Sequence, residues 1–97
     1  MKRPFRLSIY RSNRYLFAQI IEAKTGKTVL GLSEKRLLGK QVAGKTKTER
    51  AEIFGEKFAR EATAKKIQPV FFDREGYKYH GRVRAFAEGA RKGGLRF

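Results

Sequence analysis

The chain has 97 residues, a formal net charge of +15 and a hydrophobic fraction of 40%, including eight phenylalanines. A chain of this length forms one small domain that buries roughly 60 to 65% of its unfolded surface. The charge predicts a polyanionic partner rather than a small-molecule substrate. The absence of cysteine excludes disulfides, thiolate metal sites and cysteine nucleophiles. No apolar run reaches the roughly 20 residues of a membrane span, and no signal-peptide core follows the basic start, so we expect a cytoplasmic protein and no membrane contact.

The first third of the chain predicts three strands. Leu7 and Ile9 alternate with polar neighbours, which predicts a strand with one buried face and one solvated face that carries Ser8. A polar turn precedes a second strand from Tyr15 to Glu22, and another turn precedes a third strand from Thr28 to Leu32. Short turns between consecutive strands predict an antiparallel meander.

The middle of the chain predicts a basic loop and then a helix. Residues 33–47 are rich in Lys, Arg and Gly, which predicts a mobile loop with at most a short turn at Leu37 and Leu38. Thr46 and Glu49 fit a capping box, so a helix should follow. Its apolar residues recur at helical spacing. They are Ala51, Phe54, Gly55, Phe58, Ala59 and Ala62.

The last third predicts one strand and one helix. Pro69 ends the preceding helix, and a short strand should run from Val70 to Asp73. A second helix is expected to begin near His80 or Gly81 and to end at two consecutive glycines, after which Leu95 and Phe97 should pack back on the sheet. The phenylalanines expected in the core are Phe54, Phe58, Phe71, Phe72 and Phe86.

The predicted order is therefore β-β-β-α-β-α, a mixed α/β fold within a single domain over residues 1–97. A helical crossover from the meander makes the fourth strand parallel to its neighbour, so we expect a mostly antiparallel four-stranded sheet with one parallel strand, packed by two helices. Ribonuclease-H-like proteins share this order. The parallel strand should bring the turn after the first strand close to the loop that follows Asp73.

Catalysis is one hypothesis for this topology, but the residues do not support it. A two-metal nuclease needs several converging carboxylates, whereas Asp73 is the only aspartate and no acid precedes Glu22. His80 is the only histidine, so it cannot anchor a zinc site in a chain without cysteine. We expect no catalytic residues, no metal, no cofactor and no small-molecule substrate.

Two segments have the composition of an RNA-binding surface. The turn at residues 11–14 and the segment at residues 74–84 mix Arg with Tyr, Asn or Ser, and these groups contact phosphates and stack on unpaired bases. Tyr10 is a further candidate for stacking. The role of His80 stays open between a helix cap and direct RNA contact. Asp73 is expected to accept loop N–H groups or to pair with Arg74 or Arg82.

The motif Asp73-Arg74-Glu75-Gly76-Tyr77-Lys78-Tyr79-His80-Gly81-Arg82-Val83 resembles the strongest motif of the ribosomal protein L18 family, the 5S rRNA binders of bacterial large subunits. Residues 6–21 and 90–97 resemble the same family, so the resemblance covers nearly the whole chain. It implies a three-layer αβ domain in the central protuberance that binds 5S rRNA and helps attach it to 23S rRNA, beside other large-subunit proteins. Ahead of the first strand the given sequence has only residues 1–5, where members of this family usually carry a longer basic arm, so a naturally short member and a trimmed chain both stay open.

Residue chemistry and resemblance together predict one set of RNA-binding residues. They are Arg6, Arg11, Ser12, Asn13, Arg14, Tyr15, Gln19, Arg74, Tyr77, Lys78, Tyr79, His80, Gly81, Arg82 and Arg84. Two alternatives to the ribosomal reading stay open on the residues alone: a less selective basic RNA-binding protein that acts in assembly or regulation and, more remotely, a ribonuclease-H-like nuclease.

Overall fold

Four strands and three helices form the part of the chain that the computed structural model describes, which comprises residues 5–12, 15–39, 44–67, 70–73 and 81–97. The elements, in chain order, are β1 (Phe5–Arg11), β2 (Leu16–Glu22), β3 (Thr28–Ser33), α1 (Glu34–Leu38), α2 (Lys47–Ala64), β4 (Val70–Asp73) and α3 (Arg82–Lys92). No described helix is long and apolar enough to cross a membrane.

The strands form one mixed sheet in the order β3-β2-β1-β4. β1 pairs antiparallel with β2 and parallel with β4, as the sequence predicts. Arg11 lies opposite Leu16, Phe17 opposite Ser33, and Ser8 opposite Asp73. The ends of β1, β3 and β4 and the start of β2 therefore lie at the same edge of the sheet, which we call the turn edge.

Helices α2 and α3 pack together on one face of the sheet. Phe54, Phe58 and Phe86 are fully buried there, with ring centroids 5.3 to 6.0 Å apart. Burial of each such side chain contributes about 1.5 to 3 kcal/mol. The predicted apolar stripe of the first long helix is confirmed, since all of its residues are buried. The sheet residues that face the helices include Leu7, Ile9, Ala18, Ile20 and Val70.

Two glycines allow the helices to approach closely. A Cβ on Gly55 would clash with the carbonyl oxygen of Phe86 and would lie 2.9 Å from the nitrogen of Ala90. A Cβ on Gly89 would clash with the carbonyl oxygen of Glu52 and would lie 2.9 Å from its carbonyl carbon. Because only hydrogen fits at these two positions, the backbones of α2 and α3 are in direct contact.

The ends of the helices follow the sequence signals. The Thr46 hydroxyl accepts the Glu49 N–H at 3.1 Å, and the Glu49 carboxylate accepts the Thr46 N–H at 3.0 Å, which confirms the capping box. Beyond α3 the chain folds back as predicted. Leu95 is buried, and the rings of Phe72 and Phe97 are 5.2 Å apart.

The structure corrects the prediction of a wholly mobile basic loop. α1 occupies the start of that segment, and the Ser33 hydroxyl caps it by accepting the Arg36 N–H at 3.2 Å. Glu34 and Leu38 are buried. A helix of five residues is too short to show a hydrophobic period, so its formation depends on these caps and tertiary contacts.

No helix of the described part covers the second face of the sheet, which we call the open face, and two predictions fail there. The predicted core residue Phe71 is 54% exposed because it alternates with Val70 and Phe72, which face the helices. Ser8, predicted on the solvated face, is fully buried at the centre of the sheet between Gln19 and Asp73. The described residues accordingly form two layers, not the three that the resemblance implies.

Candidate nucleic-acid interface

The structure describes part of the predicted RNA-binding set. Residues with a described position are Arg6, Arg11, Ser12, Tyr15, Gln19, Gly81, Arg82 and Arg84. The predicted residues outside the described part are Asn13, Arg14, Arg74, Tyr77, Lys78, Tyr79 and His80. Within the described part, the predicted residues occupy the turn edge, the start of α3 and the open face of the sheet.

A hydrogen bond joins the two predicted stretches. Arg82, the first residue of α3, donates from Nη1 to the carbonyl oxygen of Ser12 at 3.0 Å. These residues are 70 positions apart in the sequence. The contact places the turn after β1 beside the start of α3. The loop after Asp73, which the sequence predicts close to this turn, lies outside the described residues.

A buried carboxylate supports this junction. Glu34 lies at the start of α1 with only 2% of its side chain exposed, and its Oε1 accepts the Leu16 N–H at 2.9 Å. The same oxygen is 3.7 Å from Nη2 of Arg82, whose side chain is 12% exposed. Burial lowers the pKa of Arg82, the Glu34 carboxylate opposes that shift, and the positive charges of Arg11 and Arg50 add to it. The guanidinium groups of Arg11 and Arg50 thus lie near that of Arg82.

The turn after β1 is closed by its own hydrogen bonds. Ser12 N–H donates to the carbonyl oxygen of Tyr15 at 2.9 Å, and Tyr15 N–H donates to the Ser12 hydroxyl at 3.1 Å. The ammonium of Lys35 lies 5.8 Å from the centroid of the Tyr15 ring, within range of a cation–π contact. Arg11 is exposed beside this turn. The turn edge therefore presents cations next to an aromatic ring.

A shallow concavity of about 320 Å³ adjoins the turn. Its walls include the rings of Tyr10, Tyr15 and Phe17 and the cations Arg11 and Lys35. Flat rings offer stacking surfaces to a base, and the adjacent cations offer partners to its phosphate.

The open face of the sheet carries the second set of aromatic groups. Tyr10 and Phe17 are paired across β1 and β2, with ring centroids 6.3 Å apart and exposures of 40% and 39%. Gln19 donates to the Tyr10 hydroxyl at 3.1 Å. Arg6 lies opposite Phe71 in the parallel pair. We call this surface, made by Arg6, Tyr10, Phe17, Gln19 and Phe71, the sheet face.

Sequence reasoning missed Phe17 and Phe71 as members of this surface. The available signal was the alternation of each strand, because Phe17 lies between the inward-facing Leu16 and Ala18. Asp73 was expected to bind loop N–H groups or Arg74 or Arg82, and in the described part it lies 3.7 Å from Arg6. That pairing positions Arg6 at the margin of the sheet face.

Acidic residues are concentrated on the outer surface of the long helices. There Glu56 pairs with Arg60 at 2.7 Å and Glu88 with Arg84 at 2.9 Å, while Glu52 pairs with Lys92. Arg84, a predicted RNA contact, is thus already bonded to an exposed carboxylate. Together α2 and α3 carry eight basic and five acidic residues, so most of the chain's excess of cations lies elsewhere. Within the described residues, no group of three or more His, Cys, Asp or Glu could hold a metal ion.

Comparisons with known proteins agree with this architecture. The family model described as Ribosomal L18 of archaea, bacteria, mitochondria and chloroplast matches residues 1–97. The large ribosomal subunit protein uL18 of Lactiplantibacillus plantarum is 49% identical over 96 residues, which cover 99% of this chain and 78% of that protein. The protein of the same name from Nitratidesulfovibrio vulgaris is 45% identical over 96 residues, covering 99% and 80%. The chain therefore belongs to the ribosomal L18 family.

Proposed function

We propose that this chain is a structural rRNA-binding protein of the large ribosomal subunit, that 5S rRNA is its principal ligand, and that residues 1–97 act as one rRNA-binding domain. It would help to attach 5S rRNA to 23S rRNA in the central protuberance, beside neighbouring ribosomal proteins. Family membership gives the chain a ribosomal, non-enzymatic role in the cytoplasm, and the nuclease alternative is discarded.

The observation that carries the 5S proposal is the junction between Arg82 and Ser12. It brings a turn rich in arginine beside the start of α3, where the family's strongest motif ends. Two stretches that share no local sequence thereby form one surface. A folded RNA offers phosphates and unpaired bases over a comparable area, whereas a small ligand would use only part of it.

Phosphate contacts would supply most of the affinity. Arg11 and Lys35 are exposed at the turn edge, and each cation that neutralises a phosphate releases counterions. Such contacts set the position and orientation of the RNA without reading its sequence.

Selectivity would come from RNA shape and from unpaired bases that stack on protein rings. Tyr10, Phe17 and Phe71 are exposed on the sheet face, close to the cations Arg6 and Arg11. Base stacking on an aromatic side chain is worth about 1 to 3 kcal/mol and needs no particular base. A looped RNA with splayed bases therefore fits this face better than a regular duplex does.

Substitution of one exposed cation tests the location of the surface. Arg11→Ala should weaken 5S rRNA binding and reduce the slope of log affinity against log salt by about one, since one phosphate contact is lost. Lys24→Ala removes the same charge in the turn between β2 and β3, away from the turn edge, and should have a smaller effect. Equal losses in filter-binding titrations of the two variants would contradict the proposed surface.

A further inference from the structure

Glu34 is an unusual residue for a basic RNA-binding protein. It is a fully buried acid in a chain with a net charge of +15. Its Oε2 has no hydrogen-bond partner among the described residues, although its Oε1 accepts the Leu16 N–H. A buried carboxylate is costly unless a cation and hydrogen bonds compensate it.

Arg82 provides the compensating charge and is itself turned toward the protein. Its side chain is 12% exposed, its Nη1 is bonded to the Ser12 carbonyl oxygen, and its Nη2 lies 3.7 Å from Glu34. Because of this burial, little of the guanidinium surface is accessible to a phosphate. Arg11, at the end of β1, is exposed by contrast.

One carboxylate thus fixes two segments. Through Oε1 it binds the first backbone N–H of β2, directly after the turn. Through Arg82 it attracts the start of α3, and Arg82 in turn binds the backbone of the turn at Ser12. Any displacement of α3 from the turn would break the Arg82 contacts and leave Glu34 buried and unpaired.

We propose that Glu34 and Arg82 are positioning residues, which hold the turn after β1 against the start of α3, and that Arg82 acts through the turn without itself contacting rRNA. The inference rests on the proposed function, because the surface so positioned is the proposed rRNA surface. Glu34 would then promote RNA binding although its negative charge repels phosphate. Arg82, predicted from the sequence as an RNA contact, would instead hold the contact residues in place.

The sign of the Glu34→Gln effect separates positioning from electrostatics. Removal of a negative charge from an RNA-binding surface should tighten binding, whereas loss of a positioning contact should weaken it. We expect Glu34→Gln to weaken 5S rRNA binding on the order of tenfold, which corresponds to about 1.4 kcal/mol. Binding that is tighter or unchanged would overturn the inference. Binding is measured at a temperature at which circular dichroism shows that the compared variants are folded.

Combination with Arg11→Ala separates positioning from a general loss of stability. If Glu34 positions the turn, Arg11 is already misplaced in Glu34→Gln, and its removal should cost little more. A stability effect alone would leave the Arg11 effect at full size in both backgrounds, and that additivity would contradict the proposal. Likewise, Glu34→Gln with Arg82→Met should bind no more weakly than the weaker single variant. Additive losses there would indicate direct contact of Arg82 with RNA.

Arg82→Lys is a milder variant in case Glu34→Gln does not fold. It keeps a positive charge for Glu34 but lacks the fork that also reaches Ser12. We expect it to stay folded and to bind several-fold more weakly, and wild-type binding would overturn the inference. The series is measured on 5S rRNA and on a control RNA. If the wild-type protein binds the two RNAs equally, the proposed function is refuted. The present inference is tested separately, by whether the losses of affinity from Glu34→Gln and Arg11→Ala are additive, and this can be measured on either RNA.

Discussion

At the scale of single residues, identical side chains at the turn edge have different surroundings. Arg11 and Arg82 are both arginines in basic segments, and composition predicts the same phosphate contact for both. The structure leaves Arg11 exposed and encloses Arg82 between Ser12 and Glu34. That difference depends on contacts across 70 residues, which local sequence does not encode. The burial of Glu34 was not predicted for the same reason, since in the sequence it is one acid in a run of cations.

Phe71 is the residue-scale test of the sheet face. Its ring is 54% exposed, so Phe71→Leu should change the free energy of unfolding by no more than about 0.5 kcal/mol. Loss of a stacking ring should weaken 5S rRNA binding by about 1 to 3 kcal/mol in the same titration. Phe71→Tyr keeps a ring and serves as the matched control. Equal binding by the Leu and Tyr variants would exclude stacking at this position.

At the scale of elements, a predicted helix or strand is confirmed where the residues that determine it are close together in the sequence. The capping box of α2 and the apolar period of its stripe are local, and both are confirmed. The parallel pairing of β4 with β1 follows from the order of the elements. α1 was missed because its burial depends on Leu16 and Arg82, both distant in sequence.

The capping box predicts a pH-dependent contribution to stability. The Thr46 backbone N–H, followed by its hydroxyl, holds the pKa of Glu49 below its usual range. Because the folded pKa is lowered, this stabilisation is present above the unfolded pKa and is lost as pH falls through the folded one. Glu49→Gln should therefore be less stable than wild type in urea at pH 7, and the difference should shrink as the pH is lowered through the acid range. Glu61→Gln, outside the cap on the same helix, is the control. A pH-independent difference for Glu49→Gln would exclude the carboxylate as its source.

The close contact between α2 and α3 predicts that alanine at Gly89 lowers the free energy of unfolding, although helix propensity alone would raise it. Alanine is favoured over glycine within a helix by about 1 kcal/mol. At Gly89, however, a Cβ would clash with the backbone of Glu52, so Gly89→Ala should lower the free energy of unfolding by about 1 to 3 kcal/mol. Gly31→Ala should change it little, since its Cβ would lie 3.4 Å from the Phe17 ring. Chemical denaturation measures both, and a stabilised Gly89→Ala would contradict the observed helix packing.

At the scale of the whole molecule, two described surfaces differ in composition. The outer surface of α2 and α3 carries ion pairs between acids and bases, whereas the turn edge and the sheet face carry exposed cations and rings. The net charge of +15 predicts an RNA partner, and the pattern of the sequence predicts the four-stranded sheet that the structure shows. The pattern also predicts that two helices pack on the sheet, which is confirmed, whereas the third layer that the resemblance implies is not seen in the described part.

The central claim is selective binding of 5S rRNA, and a paired titration tests it most directly. The chain is titrated against 5S rRNA and against a structured control RNA of equal length, at about 0.15 M salt and at higher salt. We predict a preference for 5S rRNA of tenfold or more, about 1.4 kcal/mol, that persists as both affinities fall with salt. Equal binding of the two RNAs, with release at the same salt concentration, would contradict the account and identify a less selective RNA-binding protein that acts by charge alone.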